Sequence, residues 1–239
     1  MQMDIGKSLQ FAFDDENWLS KLGLGALISL IPILNFAWVG YYLQLMRNVS
    51  DKVELPLPQW DEFAEKFTRG LLVTVAGFIY ALPGILFLCL PIGIISFPLL
   101  FQNSDVQETL AVFTTFGSIT LFCCIGLYFL VFSFYFPAVQ LHYSHTDEFK
   151  SCFEIREILS LITSNLSDYL VAWLVTLAAG VIVGVVVGVI GMFVGWIPCL
   201  GQIAVWALSA VAGAWVSVVY AHIFGQIGAK IYSETALSA

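Results

Sequence analysis

The sequence predicts an all-α integral membrane protein: a polytopic helical bundle with four full spans, a Pro-broken N-terminal re-entrant hairpin and short amphipathic interfacial helices. Two observations predict it. The 239 residues are 59% hydrophobic and only 11% charged, outside the range of soluble domains. The nine Lys and Arg residues are confined to polar stretches, namely Lys7 and Lys21; Arg47, Lys52, Lys66 and Arg69; Lys150 and Arg156; and Lys230. Residues 22–46, 70–104, 109–141 and 169–229 contain no Asp, Glu, Lys or Arg at all. A bilayer core about 30 Å thick is crossed by about 20 apolar residues in a helix.

Taken in order, residues 1–21 form an interfacial segment in which Leu9, Phe11, Phe13 and Trp18 alternate with Asp4, Asp14, Asp15 and Glu16. They lack the basic, apolar, small-residue order of a cleaved signal peptide, so none is expected. Residues 22–46 are long enough for one tilted span, but Ile31-Pro32-Ile33-Leu34-Asn35 interrupts them. Proline removes a backbone donor and disfavours helix at the residue before it. Two half-helices meeting there make a re-entrant hairpin, which needs a shielded or wet tip. Residues 47–69 are a polar connection, extended at Pro56 and Pro58 and then a short surface helix over 59–69 with Trp60, Phe63 and Phe67 on one side.

The second run, 70–104, carries Pro83, Pro91 and Pro98 and is too long to cross straight, so a kink, a tilt or a lateral end is expected. Asp105 and Glu108 mark a turn before the third run, 109–141. A polar connection over 142–168 presents Ile155, Ile158, Leu159 and Ile162 as an in-plane stripe. Residues 169–195 and 201–229 then form a glycine-rich helix pair. Three times a charged amphipathic segment precedes an apolar hairpin, and two hairpin tips share Ile-Pro-x-Leu, at residues 31–34 and 197–200.

Basic residues near spans stay cytoplasmic. If residues 22–46 cross once, giving five spans, the two sides carry two and seven basic residues; if they re-enter, all nine lie on one side. The second arrangement is preferred and makes both termini of a multi-pass cell-membrane protein cytoplasmic.

Gly40-Tyr41 before Arg47, then Leu57-Pro58-x-Trp60, Phe67-x-x-Gly70-Leu71 and Tyr80-x-x-Pro83 resemble an uncharacterised family of bacterial and archaeal membrane proteins catalogued as domain of unknown function 4013. The resemblance extends to length and to the order of apolar runs. It implies a prokaryotic membrane protein and brings no catalytic residues with it.

Several classes are disfavoured. A net charge of −8 argues against nucleic acid. No GxSxG, HExxH or phosphate-binding glycine loop is present, so no enzyme activity and no cofactor are expected. The apolar runs hold no carboxylate or basic side chain of the kind that ion-coupled pumps keep in the membrane. The five cysteines include no CxxC pair; they read as small buried hydrophobes, with Cys152 the one redox or metal alternative.

Candidate sites are few. Gly180, Gly184 and Gly188 recur every four residues, as do Gly213, Ser217, Ala221 and Gly225. Small residues at this spacing let membrane helices approach closely, either within the chain or with a second copy or another protein's helix. Pro32, Asn35 and Pro198 mark hairpin tips, and Asn35 is the candidate for lining a cavity. His222 and Gln226, one turn apart, suit partners on a neighbouring helix. His142 and His145, followed by Asp147 and Glu148, form the sole cluster with metal-ligand chemistry, and it is a weak one. These features favour a non-enzymatic membrane component that packs against itself or other membrane proteins in the lipid bilayer. The alternative is a passive transporter or channel for small neutral or lipidic molecules.

Overall fold

The computed structural model describes residues 4–96 and 104–238. Among them are eight α-helices and no strand: α1 Ile5–Gln10, α2 Trp18–Ser29, α3 Asn35–Ser50, α4 Phe63–Ser96, α5 Ser104–Thr146, α6 Ile155–Ser164, α7 Leu166–Val194 and α8 Leu200–Ser238. Four stretches are long and apolar enough to cross a membrane, Phe63–Pro91, Glu108–Thr146, Leu166–Val194 and Leu200–Tyr232. The chain is a polytopic helical membrane protein. It divides into two compact units, Met1–Thr74 with Ala138–Ala239, and Val75–Pro137.

The first unit is built around α3. Pro32 cannot extend α2, which ends at Ser29; residues 30–34 turn, and Asn35 opens α3. Two helices thus meet where the sequence breaks at Pro32, and the turn between them is exposed at Ile31, Pro32 and Ile33. Tyr41, Leu43, Leu45 and Met46 of α3 are fully buried, together with Leu141 and Tyr143 of α5, Tyr169 of α7 and Ile223 and Phe224 of α8. Helix α3 packs along α8, and α8 packs on α2 and α7.

Glycines set the closest contacts in this unit. A β-carbon at Gly40 would coincide with the Lys66 carbonyl, and one at Gly70 with the Phe36 carbonyl, so the backbones of α3 and α4 cross in contact there. On the other side of α3, a β-carbon at Gly225 would lie 2.7 Å from the Met46 carbonyl oxygen, and one at Gly228 would strike Ser50. The Ser50 hydroxyl donates to the Gly225 carbonyl at 3.0 Å.

Two boundaries differ from expectation. The short surface helix expected over 59–69 is the first part of α4, which starts at Phe63 and runs unbroken into the apolar stretch. Gly70 does not end it because that position serves the crossing with α3, and the Glu65–Arg69 pair at 2.8 Å bridges the junction. The turn expected at Asp105 and Glu108 is helical; both lie early in α5. Helix α4 continues through Pro83 and Pro91, and Pro98 lies outside the described residues. The stripe expected on α6 is split, with Ile158 and Ile162 buried and Ile155 and Leu159 exposed.

In the second unit, α4 and α5 pair through small residues under aromatic rings. A β-carbon at Gly77 would lie 2.7 Å from Phe136, and one at Gly84 2.7 Å from Tyr128. The Tyr128 hydroxyl donates to the Tyr80 carbonyl, and Ser118 donates to the Pro91 carbonyl at 3.3 Å. Phe113 and Phe116 are 73% and 69% exposed, which suits a surface solvated by lipid rather than water.

The crossing yields a first prediction. Gly40→Ala or Gly70→Ala meets backbone that cannot rotate away and destabilises the protein by at least about 2 kcal/mol. Gly126→Ala, where nothing lies within 4 Å, is neutral or slightly stabilising. Thermal unfolding followed in lipid nanodiscs separates the two classes.

Candidate functional site

A concavity of about 430 Å³ lies in the first unit. Its apolar part is Phe11, Val49, Val53, Pro56, Ile227 and Ala229; its polar part is Asp4, Lys7, Lys52, Glu54, Asp168, His222, Gln226 and Lys230. Four segments meet here: the N-terminal segment, the end of α3 with its following loop, the start of α7 and the last turns of the α8 span.

The N-terminal segment is held by α8. Asp4 caps α1, its carboxylate accepting the Lys7 N–H at 2.8 Å. The Asp4 N–H donates to Gln226 Oε1 at 2.8 Å, and Gln226 Nε2 donates back to the Asp4 carbonyl at 3.0 Å. Ser8 Oγ lies 2.9 Å from His222 Nδ1 and 2.8 Å from Gln226 Nε2. Phe11 stacks on the His222 ring with centroids 4.0 Å apart. Thus His222 and Gln226 find their partners on α1, and the i, i+4 spacing is what puts both on the face that α1 covers.

The α3 side ends in a Schellman arrangement. Lys52 N–H bonds to the Val49 carbonyl at 3.1 Å and Val53 N–H to the Asn48 carbonyl at 2.9 Å. Lys52 adopts φ 59°, the left-handed conformation that glycine usually supplies at this position. Asn48 donates to the Pro56 carbonyl at 2.8 Å and so folds the loop back.

A second polar cluster anchors the loop and the start of α2. Lys21 is buried; its ammonium donates to Asp15 at 2.6 Å and to the Leu57 carbonyl at 3.1 Å. Its own carbonyl accepts the Trp60 indole N–H at 2.9 Å. Trp60 stacks on Tyr41 at 4.7 Å, which stacks on Trp38 at 5.1 Å. Gly25 leaves the space for the Trp38 ring. Burial raises the Asp15 carboxyl, but the Lys21 bond, the Asn17 N–H and the Lys21 charge outweigh it and hold the group below its ordinary value.

Around the same helix ends, Asp147 accepts from Arg47 at 2.6 Å and from Arg69 at 2.9 Å, joining α3, α4 and α5. Gln140 of α5 donates to the Tyr42 hydroxyl of α3 at 2.9 Å and accepts from Tyr220 of α8. Lys230 pairs with Asp168 at 2.6 Å, joining α8 to α7.

The residues singled out from sequence are scattered. Asn35 lies at the opposite end of α3 from the cavity, half-buried beside an exposed Pro32. Pro198 is exposed in the turn between α7 and α8. His142 and His145 are both helical and take different partners: His142 Nε2 lies 3.1 Å from Glu154, whereas the His145 ring packs on Tyr232 at 3.8 Å. Nothing lies within 4 Å of a β-carbon built at Gly180, Gly184, Gly188 or Gly213. Gly225 packs on α3, Ala221 is buried and Ser217 is half-buried. Near their connecting turn, α7 and α8 meet through Gly191 against Val205 and Gly201 against the Val194 carbonyl.

Fold and cavity together define a helical multi-pass membrane protein whose polar contacts gather at the ends of its helices. A family model described as "Protein of unknown function (DUF4013)" matches residues 24–195. The match covers more than half of the chain, and the protein belongs to that family. No curated protein and no solved structure matches it. Of the residues that carried the resemblance, Gly40, Tyr41, Leu57, Trp60 and Gly70 lie in the α2–α3–α4 anchor. The cavity is different, because Asp4, Lys7, Phe11, His222, Gln226 and Lys230 fall outside the matched residues.

Two predictions follow from these clusters. Asp15→Asn leaves the Lys21 ammonium buried without a counter-charge and costs about 3 kcal/mol, read as a lowered unfolding midpoint. Because the folded carboxyl titrates below its ordinary value, its contribution is complete above about pH 4 and is lost as pH falls through the lowered value. Asp15→Asn therefore loses the acid-dependent part of unfolding that the unmodified protein shows. Burial pushes the Cys152 thiol up to about 11, so maleimide at pH 8 modifies exposed Cys199 while Cys152 stays unmodified until the protein unfolds.

Proposed function

We propose that the protein is a non-enzymatic component of a membrane assembly and that it joins a second membrane helix, from its own copy or another protein, along α7. One observation carries this reading. The glycines used for packing inside the chain, Gly25, Gly40, Gly70, Gly225 and Gly228, are each filled by a neighbour, whereas Gly180, Gly184 and Gly188 face open space. They lie in a helix whose most apolar window has none of its residues buried. In a bilayer, helices associate by close packing over small residues, since apolar burial alone supplies no driving force between them.

Orientation supports the same picture. All nine Lys and Arg residues belong to the first unit, and basic residues at span ends remain on the cytoplasmic side. The two termini, the loop after α3 and the α5–α6 connection then lie in the cytoplasm, and the α2–α3 pair enters and leaves from that side. The transport reading draws less support, since Asn35 and the cavity are at opposite ends of α3.

The test is association in lipid particles formed without harsh detergent at native expression. Wild-type chains give a defined complex by native mass spectrometry, and Gly184→Leu weakens it about tenfold. Gly126→Leu, at another open glycine, leaves it intact. A wild-type chain found only as a monomer sinks the proposal.

A further inference from the structure

We infer that the cavity of about 430 Å³ formed by the N-terminal segment, the end of α3 and α8 binds a phosphate-bearing group attached to an apolar body. The inference is independent of association along α7.

The cavity presents donors that the protein does not use itself. The ammonium groups of Lys7 and Lys52 line it, and neither makes a hydrogen bond or ion pair among the described residues. His222 lies beside them. It is only 4% exposed, yet its ring lines the cavity. The backbone of Asp4 fixes the Gln226 amide, because its N–H needs Oε1 and its carbonyl needs Nε2. Gln226 Nε2 is therefore a donor, and it stands 3.1 Å from His222 Nδ1. Its two protons go to the Asp4 carbonyl at 3.0 Å and to Ser8 Oγ at 2.8 Å.

Two ammonium groups without partners, on residues that line one space, match the acceptor-only oxygens of a phosphate. Three acids also line the cavity. Asp168 is engaged by Lys230 at 2.6 Å, and the Asp4 carboxylate accepts the first free N–H of α1 at 2.8 Å. Glu54 is exposed; it disfavours a multiply charged polyphosphate and tolerates a phosphodiester with a neutral or ammonium substituent. The apolar body belongs against Phe11, Val49, Val53 and Ile227.

Backbone strain points to the same place. Lys52 holds φ 59° at a helix end where glycine is free of cost. Such strain is retained where the side chain has a use, and here the side chain of Lys52 borders the cavity.

The same chemistry fits a lipid headgroup or a soluble phosphate ester, and one experiment distinguishes them. The full chain, stripped of lipid in a maltoside detergent that contains no phosphate, is titrated calorimetrically with dihexanoyl phosphatidic acid, dihexanoyl phosphatidylglycerol, glycerol 3-phosphate and inorganic phosphate. Dihexanoylglycerol is the uncharged control. Saturable binding of the phospholipids alone identifies a headgroup site; equal binding of glycerol 3-phosphate identifies a soluble ester. In both cases Lys7→Gln with Lys52→Gln weakens binding by about tenfold or more. Lys52→Gly separates binding from folding, since it relieves the left-handed backbone and keeps or raises the unfolding temperature while weakening the phosphate ligand. The inference is overturned if no phosphate compound binds, if dihexanoylglycerol binds equally well, or if Lys52→Gly binds as tightly as the wild type.

Discussion

At Gly40 and Gly70 the carbonyls of Lys66 and Phe36 occupy the positions where side chains would begin, and this backbone-to-backbone crossing constrains most of the first unit. Two helices in such contact have no side chain between them that could repack, so their crossing point is fixed in position and register. The chain must leave α3, turn through residues 51–62 and return to that point. The loop is consequently pressed onto α3, where Trp60 completes the stack with Tyr41 and Trp38 and donates to the Lys21 carbonyl. Lys21 in turn links Asp15 to Leu57, and α2 is oriented by the loop that α3 and α4 position.

The opposite flank of α3 faces α8 through a second pair of small residues, Gly225 and Gly228. A helix held closely on two sides has little freedom to rotate, and its end therefore presents Lys52 in a defined place. The N-terminal segment contributes the remaining wall, held by the Gln226 amide and the Ser8–His222 contact rather than by extensive apolar burial. Polar contacts of this kind are directional, which is what a cavity wall of so short a segment requires.

How much of this could be read in the amino-acid order depends on the range of the forces involved. The four spans were legible because the bilayer imposes a length and an apolarity on each contiguous run, and the break at Pro32 was legible because proline acts on its own backbone. The start of α4 at Phe63 was not, since the amphipathic residues before Gly70 and the apolar ones after it are one helix, and no local breaker separates them. Glycine spacing showed which helix faces are smooth but not which neighbour fills them: Gly225 meets α3, while Gly180, Gly184 and Gly188 meet nothing within 4 Å. His142 and His145 looked like a pair because they are near in sequence, yet side chains of one helix can serve different neighbours, here Glu154 and Tyr232. The cavity was invisible for the converse reason. Its lining comes from distant segments, and only tertiary structure brings Lys7, Lys52 and His222 together.

The bond between Asp4 and Gln226 joins residues 222 positions apart. Chains are made from the N-terminus at about 5–20 residues per second, so the Asp4 segment waits about ten to forty seconds for the helix that receives it. During that interval α3 can settle on α4, but the wall supplied by α8 does not yet exist. The pocket thus matures only once α8 has been made, and a chain cut short before α8 has no means of forming it.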